Sequence, residues 1–385
     1  IVIVMPSPLF CATRNFRSSQ WAPVIRHEHE ESPAQRDTEL KTSDFLKLRA
    51  AAVVLWLLLL AGGCDPAPEY HRVEGGTMGT YYRVTAYCPG LDADALITRI
   101  EAELAEVNGQ MSTYQADSEL MRFNASPPGE WVPASSELLT VLLAAREISE
   151  LSAGAFDVTV SELVNLWGFG PDGRVSSRPS AERIQAAVAK AGFEQLELDL
   201  PGRRLRRLTP LTVDLSAIAK GHGVDRIAEQ LAGLGCEHYL ADIGGEVRAR
   251  GLNPAGRLWR VGVEVPDPER IGSIQRVLTL DTMAVATSGD YRNFLDLGGA
   301  RYSHTIDPRT GHPVRHGLAS VTVVHASTMQ ADGLATALNV LGPEEGFALA
   351  EAEELAALFL VRRPNGFEER YTSAMLNHLA AAPES

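Results

Sequence analysis

The apolar run AAVVLWLLLLAGG at residues 51–63 divides this chain into two parts with different fates. It follows Leu46-Lys47-Leu48-Arg49, and its small residues stand just before Cys64. A basic flank, a short apolar stretch and small residues at a cleavage point describe an export signal. The run is too short for a comfortable bilayer span, which takes roughly 20 apolar residues. Residues 1–63 are therefore read as an upstream segment with a signal peptide. Residues 64–75, with Pro66 and Pro68, are read as a polar tether, and 76–385 as the part that folds. Residues 1–40 carry no clear periodicity. No Met stands between Met5 and Met78, so a start nearer the signal would need a non-Met start codon.

Leu60-Ala61-Gly62-Gly63-Cys64 resembles the bacterial lipobox, in which the Cys is diacylated and opens the mature protein. The usual leucine three before the Cys is replaced by Ala61. The alternative is a buried Cys after an ordinary apolar helix. Lipidation of Cys64 places the mature chain on the periplasmic face of a membrane, and Asp65 next to it points to the inner membrane. With Cys11 upstream and Cys64 in the anchor, Cys88 and Cys236 remain. Two distant Cys make neither a disulfide framework nor a zinc site. One bridge between them would suit an oxidising compartment, and the sequence leaves that open.

A hydrophobic content of 45% with 22% charged residues is that of a globular chain. The net charge of −14 excludes a nucleic-acid footprint. It does not exclude an anionic ligand, because a bound metal can supply positive charge locally.

Helical spacing of apolar residues predicts helices over Ala93–Asn108, Ser135–Leu151 and Ala181–Lys190. A further helix should come after Leu211–Leu215 and end near Gly235. Ser327-Thr-Met-Gln330 has the form of a capping box, so another should run from there to Leu341. Runs rich in β-branched and aromatic residues predict strands at 78–88, 195–199, 211–215, 238–242, 259–265, 277–280 and 319–325, with Leu355–Arg362 as the closing strand. No repeat or internal linker interrupts the order. Strands and helices mix without regular alternation, which predicts an α+β fold in a single compact catalytic domain.

Four stretches concentrate Gly, Asp, Ser and His between apolar runs, where scaffold-positioned loops carry function. They are FDVTVSELVNLWGFG (156–170), VDLSAIAKGHGVD (213–225), YSHTIDPRTGHP (302–313) and MQADGLATALNVLG (329–342). Asp332 and Thr336 stand four apart, on one helix face, and present hard oxygens of the kind that suit Mg²⁺. The plainer reading is an Asp favoured near a helix N-terminus by the dipole. Lys220 follows a strand-to-helix turn whose glycines would let backbone approach phosphate. As a point cation it could neutralise such a group, although the turn matches no established nucleotide loop and is equally a plain tight turn. His304, in a Pro- and Gly-marked loop, could shuttle a proton, or it is merely a surface histidine. Tyr114 and Phe156 could stack on a flavin or adenine ring, or belong to the core.

Together the motifs Met-Gly-Thr (78–80), Met-Ser-Thr-Tyr (111–114), the Asp157 stretch, Asp214 through Lys220 to Gly221, Thr287-Ser-Gly, Ser-His-x-Ile-Asp-Pro (303–308) and Ala-Asp-x-x-x-Thr (331–336) resemble the ApbE family of FAD:protein FMN transferases. The resemblance runs from Gly75 to Leu360. It implies Mg²⁺ held by Asp332, Thr336 and the Ala217 carbonyl. It also implies FAD contacts at Met78, Tyr114, Ala155, Phe156, Asp157, Asp214, Lys220 and Ile306, with His304 in the transfer step. Some relatives carry Asp immediately before the Thr, where this chain has Ala335. The implied activity is transfer of FMN from FAD to a Thr or Ser hydroxyl. The implied acceptors are exported subunits of Na⁺-pumping or Rnf-type electron-transfer complexes with a D-x-x-[ST]-G-A-[ST]-like target. The same site would also serve a Mg²⁺-dependent FAD pyrophosphatase, and a non-catalytic FAD carrier is the alternative outside enzymes.

Overall fold

The structure, a computed structural model, describes residues 1–3, 68–170, 173–290, 294–297 and 300–380. The chain divides into two compact units, residues 7–68 and the remainder. Of the first only Pro68 is described, so the expected signal peptide and Cys64 lie outside the described residues. All helices and strands of the described residues belong to the second unit. None of these helices is long and apolar enough to cross a membrane.

A short strand β1 (Val2–Ile3) precedes the hairpin β2 (His71–Thr77) and β3 (Thr80–Tyr87). Next come α1 (Ala93–Met111), α2 (Glu119–Ala125), β4 (Val132–Pro133), α3 (Ser136–Leu151), α4 (Ser161–Leu166) and α5 (Ala181–Val188). The chain continues through β5 (Leu196–Asp199), β6 (Arg204–Arg207), α6 (Ala219–Gly233), β7 (His238–Ile243), β8 (Glu246–Arg250), β9 (Trp259–Glu264) and β10 (Ile274–Leu280). β11 (Ala284–Gly289), β12 (Phe294–Leu297), β13 (Ala300–Ser303), β14 (Ile306–Asp307), β15 (His312–Pro313) and β16 (Leu318–His325) lead to α7 (Thr328–Ala352), β17 (Ala356–Arg363) and β18 (Gly366–Tyr371).

Eight strands form one antiparallel sheet in the order β18-β17-β16-β11-β8-β7-β3-β2. Both faces of its centre are covered, which explains why β16 and β17 read as near-continuous apolar runs rather than alternating ones. In β17, Ala357, Phe359 and Val361 enter the core shared with α3 and α7. Ala356, Leu358 and Leu360 enter the opposite core, under β9 and β10. A third core lies between α1, α6 and the β3–β7 end of the sheet. A fourth, around Trp167 and Tyr302, gathers α4, α5 and the β12–β14 segment. The architecture is α+β, as the mixed element order predicts.

Several expectations shift in detail. Met78 and Gly79 are not the start of a strand but the two-residue turn between β2 and β3, with φ of 49° and 70°. That backbone fits a two-residue hairpin with both central residues at positive φ. β2 takes in residues 71–75 of the expected tether, and Val2–Ile3 of the expected upstream segment pairs with β9. Residues 211–215 form no strand. An amide side chain pairs the Val213 backbone instead: Asn124 Nδ2 donates to the Val213 carbonyl at 2.9 Å, and the Val213 N–H donates to Asn124 Oδ1 at 2.9 Å. β17 is not the closing strand, because β18 pairs outside it. α7 runs unbroken to Leu341, where Gly342 (φ 86°) and Pro343 interrupt the helix.

Candidate functional site

The site forms where the N-terminal turn of α6 meets the first turns of α7. The two helices touch backbone to backbone: a Cβ on Gly221 would lie 2.4 Å from the Thr328 carbonyl oxygen and 2.8 Å from Asp332 Cβ. Only a glycine permits that approach. It allows the Gly221 N–H, an unpaired donor of a helix start, to reach Asp332 Oδ2 at 3.0 Å. Lys220 Nζ lies 3.5 Å from the same oxygen and 3.2 Å from Glu246 Oε1 at the start of β8.

Burial alone would lower the Lys220 pKa, but the Asp332 and Glu246 carboxylates outweigh it and hold the ammonium charged. Burial pushes Glu246 up to about 7, against the pull of Lys220 and with the Asp332 charge adding to the rise. The cluster thus sets one fixed cation against two carboxylates. Both contacts of Asp332 fall on Oδ2, which leaves Oδ1 without a partner among the described residues. Thr336, one turn on, is half-buried between fully buried Ala335 and Ala337. Asp332 Oδ1 and the Thr336 hydroxyl are hard oxygens on one face of α7, one turn apart, beside a surplus of negative charge, and these donor types fit Mg²⁺. Among the described residues no three His, Cys, Asp or Glu side chains converge on a metal position. A cation here would rest on one carboxylate, one hydroxyl and a carbonyl such as that of Ala217. Ala335, the departure from the acidic pattern, is fully buried in the α3–α7 core and serves packing in this chain.

A second carboxylate locks the same junction. Asp225 of α6 accepts from Ser327 Oγ at 2.7 Å, Thr328 N at 2.9 Å, Thr328 Oγ1 at 2.8 Å and Met329 N at 3.0 Å. Burial would raise its pKa, but these bonds hold it below the usual value. The expected Ser327 cap is present, with Gln330 N donating to Ser327 Oγ at 3.3 Å, yet the α7 start is held mainly by Asp225.

The expected flavin-contacting positions divide into groups. Met78 lies over α6, its Cε 2.8 Å from where a Gly223 Cβ would be. Asp214 shapes the turn into α6: its Oδ1 accepts from Ser216 N at 2.8 Å, and its own N–H donates to the Val158 carbonyl at 2.7 Å. That second bond ties the Asp157 stretch to the Ala217 turn. Asp157 Oδ1 accepts from Thr159 N at 2.8 Å and Thr159 Oγ1 at 2.7 Å, and Oδ2 accepts from Phe193 N at 3.0 Å. Burial raises its pKa in spite of these bonds. Tyr114 is 80% exposed just beyond α1, so it is not core. Phe156 is the reverse: it is 2% exposed inside the main core, which removes its ring as a stacking surface. Ala155 is also buried, so this pair can offer a ligand little besides backbone. Ile306 is buried in the Trp167 core, away from α6 and α7 in sequence and in packing.

His304 joins β13 to β14, its ring 6.3 Å from that of Phe169 in an edge-on arrangement. The loop after it is anchored by Trp167 Nε1, which donates to the Gly311 carbonyl at 2.8 Å. Arg309 from this loop passes 3.8 Å from the Cβ position of Gly154, so the His304 loop adjoins the turn that leads into Asp157.

Sequence reading missed Glu246, Asp225 and Asn124. The glycines before Glu246 mark the β7–β8 turn, but nothing local says that its carboxylate faces Lys220. Asn124 is an Asn in a short helix, a position without a recognisable signal.

The ApbE family model matches residues 78–359. The chain is 45% identical over 330 residues to the FAD:protein FMN transferase of Vibrio cholerae serotype O1, covering 85% of this chain and 98% of that protein. Among solved structures it is similar to the flavin transferase ApbE from Vibrio cholerae, with a TM-score of 0.75, 45% identity, and coverage of 81% and 99% of the two chains. It is likewise similar to the Pseudomonas stutzeri flavinyl transferase ApbE in its apo form, with a TM-score of 0.75, 43% identity, and coverage of 82% and 98%.

Proposed function

The chain belongs to the ApbE family, and we propose that it is an FAD:protein FMN transferase that moves FMN from FAD onto a Thr or Ser hydroxyl of a target protein. The observation that carries the reading is the Lys220–Asp332–Glu246 cluster at the α6–α7 junction. There a permanently charged ammonium and an uncommitted carboxylate oxygen stand at the mouth of a helix N-terminus. Such a place favours a divalent cation, and through the cation a diphosphate.

Asp332, Thr336 and the Ala217 carbonyl would hold Mg²⁺. When bound, the ion supplies charge neutralisation at the diphosphate oxygens and lowers the energy of the leaving group. Lys220 contributes a second, fixed positive charge to the same oxygens. Met78 and Tyr114 would confine the ligand from the β2–β3 turn and the end of α1, and the bond from the Asp214 N–H to the Val158 carbonyl ties the two loops between them together. The acceptor hydroxyl attacks the FMN-side phosphorus. A new O–P bond forms, the bond to AMP breaks, and the hydroxyl proton passes to His304 while AMP departs. An imidazole titrates near ambient pH, which suits it to this role.

Incubation with FAD, Mg²⁺ and an acceptor, read by mass spectrometry, tests this directly. A covalent FMN adduct with release of AMP is expected. Free FMN plus AMP would make the protein a pyrophosphatase, and intact FAD would make it a carrier. Asp332→Ala should abolish the adduct, as should EDTA, while the fold survives. Adduct formation by Asp332→Ala at the wild-type rate would remove the metal from the reaction.

The setting we infer is the periplasmic face of the inner membrane, with the chain anchored through a lipid on Cys64. The signal-like run 51–63 supports this, as does the Cys88–Cys236 disulfide, which belongs to an oxidising compartment. The mass of the mature N-terminal peptide reads out the lipid. Acceptors would then be exported subunits of Na⁺-pumping or Rnf-type complexes with a D-x-x-[ST]-G-A-[ST]-like segment, which mapping of the adduct would identify.

A further inference from the structure

We propose that an arginine-lined cleft beside β13 and β15 receives an acidic segment of the acceptor protein, an inference that rests on the transfer reading above. The cleft has a volume of about 790 Å³, and Arg178, Arg301, Arg315 and Arg362 surround Tyr302 in its wall. The guanidinium carbons of Arg178 and Arg315 stand 6.0 Å and 5.3 Å from the Tyr302 ring centroid, and that of Arg301 stands 3.8 Å from the Phe294 ring. Ring contacts hold the guanidinium groups in place without neutralising them.

The carboxylates of the wall do not balance this charge. Against four arginines the wall holds two carboxylates: Asp290, taken by Arg362, and Asp267, which accepts from the Glu269 N–H at 3.0 Å and keeps its charge. Arg301 meets Asp296 only at 4.0 Å, between two exposed side chains. Arg178 and Arg315 are exposed and have no carboxylate partner among the described residues. His316, also in the wall, keeps both ring nitrogens buried without a partner. On a chain of net charge −14, such a surplus of cations runs against the general field and is selective for an acidic partner.

Position decides which acidic partner. The positions expected to contact FAD, namely Met78, Tyr114, Ala155, Phe156, Asp157, Asp214, Lys220 and Ile306, do not line this cleft, although Ile306 packs in the same core as Tyr302 of its wall. A transfer between two substrates needs a second binding surface, and this one is left for the second reactant. Ser303 lines the cleft, and the next residue along the chain is His304. The cleft wall therefore runs directly into the loop that carries the candidate base.

The double variant Arg178→Gln, Arg315→Gln tests the cleft, because both side chains are exposed and neither belongs to the catalytic set. The probe is a fluorescein-labelled synthetic peptide with one Thr flanked by Asp and Glu, beside the same peptide carrying Asn and Gln. By anisotropy, wild type should prefer the acidic peptide and lose it with rising salt. The double variant should bind it about tenfold more weakly, with FAD affinity and melting temperature unchanged. KM for the peptide in FMN transfer should rise by the same factor, with kcat within about twofold. Arg178→Glu with Arg315→Glu should switch preference to a peptide carrying Lys in place of the acids. Equal binding of the acidic and neutral peptides by wild type, or unchanged binding by the double variant, would overturn the proposal. Anisotropy needs no turnover. Peptide binding without FMN transfer therefore sinks the transfer reading alone, and transfer indifferent to the arginines sinks the cleft alone.

Discussion

At the scale of single residues, burial separates side chains that the sequence treats alike. Tyr114 and Phe156 are both aromatics in motif stretches, but one is 80% exposed and the other 2%. An aromatic stack is worth on the order of 1 kcal/mol, which is roughly a fivefold change in affinity. Tyr114→Ala should weaken FAD binding by about that factor and leave the melting temperature unchanged, whereas unchanged FAD affinity would reduce Tyr114 to an ordinary surface residue. His222 offers a pH test on the opposite side of α6 from Lys220. It is 6% exposed, and burial pushes its pKa down to about 4 from an ordinary 6.5. Between those values the unfolded chain binds a proton that the folded chain does not. Stability therefore rises with pH across this window and is lost on acidification, by at most on the order of 3 kcal/mol. His222→Gln should flatten the dependence of the urea midpoint between pH 4.5 and 7, and an unaltered slope would assign the acid sensitivity elsewhere.

At the scale of elements, the α6–α7 junction is the part on which the chemistry depends. Two carboxylates cross it in opposite directions: Asp332 of α7 accepts from the α6 backbone, and Asp225 of α6 accepts from the α7 backbone. Each offsets the unpaired N–H groups of the other helix, so the start of α7 is stabilised by its neighbour more than by its own Ser327. Gly221 is the contact point. Gly221→Ala would place a methyl 2.4 Å from the Thr328 carbonyl oxygen, and backbone cannot yield as a side-chain tip can. Overpacking of this kind costs about 1–3 kcal/mol. The helices should part enough to separate Lys220 from Asp332, so FMN transfer is expected to fall more steeply than stability. Proportionate losses in a paired melting and activity assay would show that the junction carries the fold but not the site.

At the scale of the whole molecule, the Cys88–Cys236 disulfide closes a span of 148 residues between the end of β3 and the turn after α6. It fastens the β3–β7 end of the sheet, beside the core shared by α1 and α6. Loss of such a bridge typically costs about 2–5 kcal/mol, so the Cys88→Ser, Cys236→Ser pair should lower the melting temperature, and reductant should do the same to wild type. An identical melting curve with and without reductant would show the bridge to be energetically idle. Much of the molecule was legible without coordinates wherever the information is local. The periodicity of α1, α3 and the first half of α7 reports which face is buried. Gly235 marks the end of α6, and Asp332 with Thr336 shows its spacing in the bare sequence. Other features have no local trace. Residues 211–215 look like a strand, but Val213 at their centre pairs with the Asn124 side chain, because an amide can copy the donor and acceptor of a peptide group. Phe156 reads equally as a stacking ring or a core residue, and its place in the core depends on what packs above it. The sheet order, with β3 against β7 and β11 between β8 and β16, arises from which apolar faces find each other. The sequence by itself determined the longer helices, most of the long strands, their mixed class and the kinds of side chain able to handle a diphosphate. Only the tertiary structure decided that Lys220, Gly221, Glu246 and Asp332 meet. Their contact depends on two helix backbones closing across 111 residues of chain, and no short-range pattern encodes a distance of that kind.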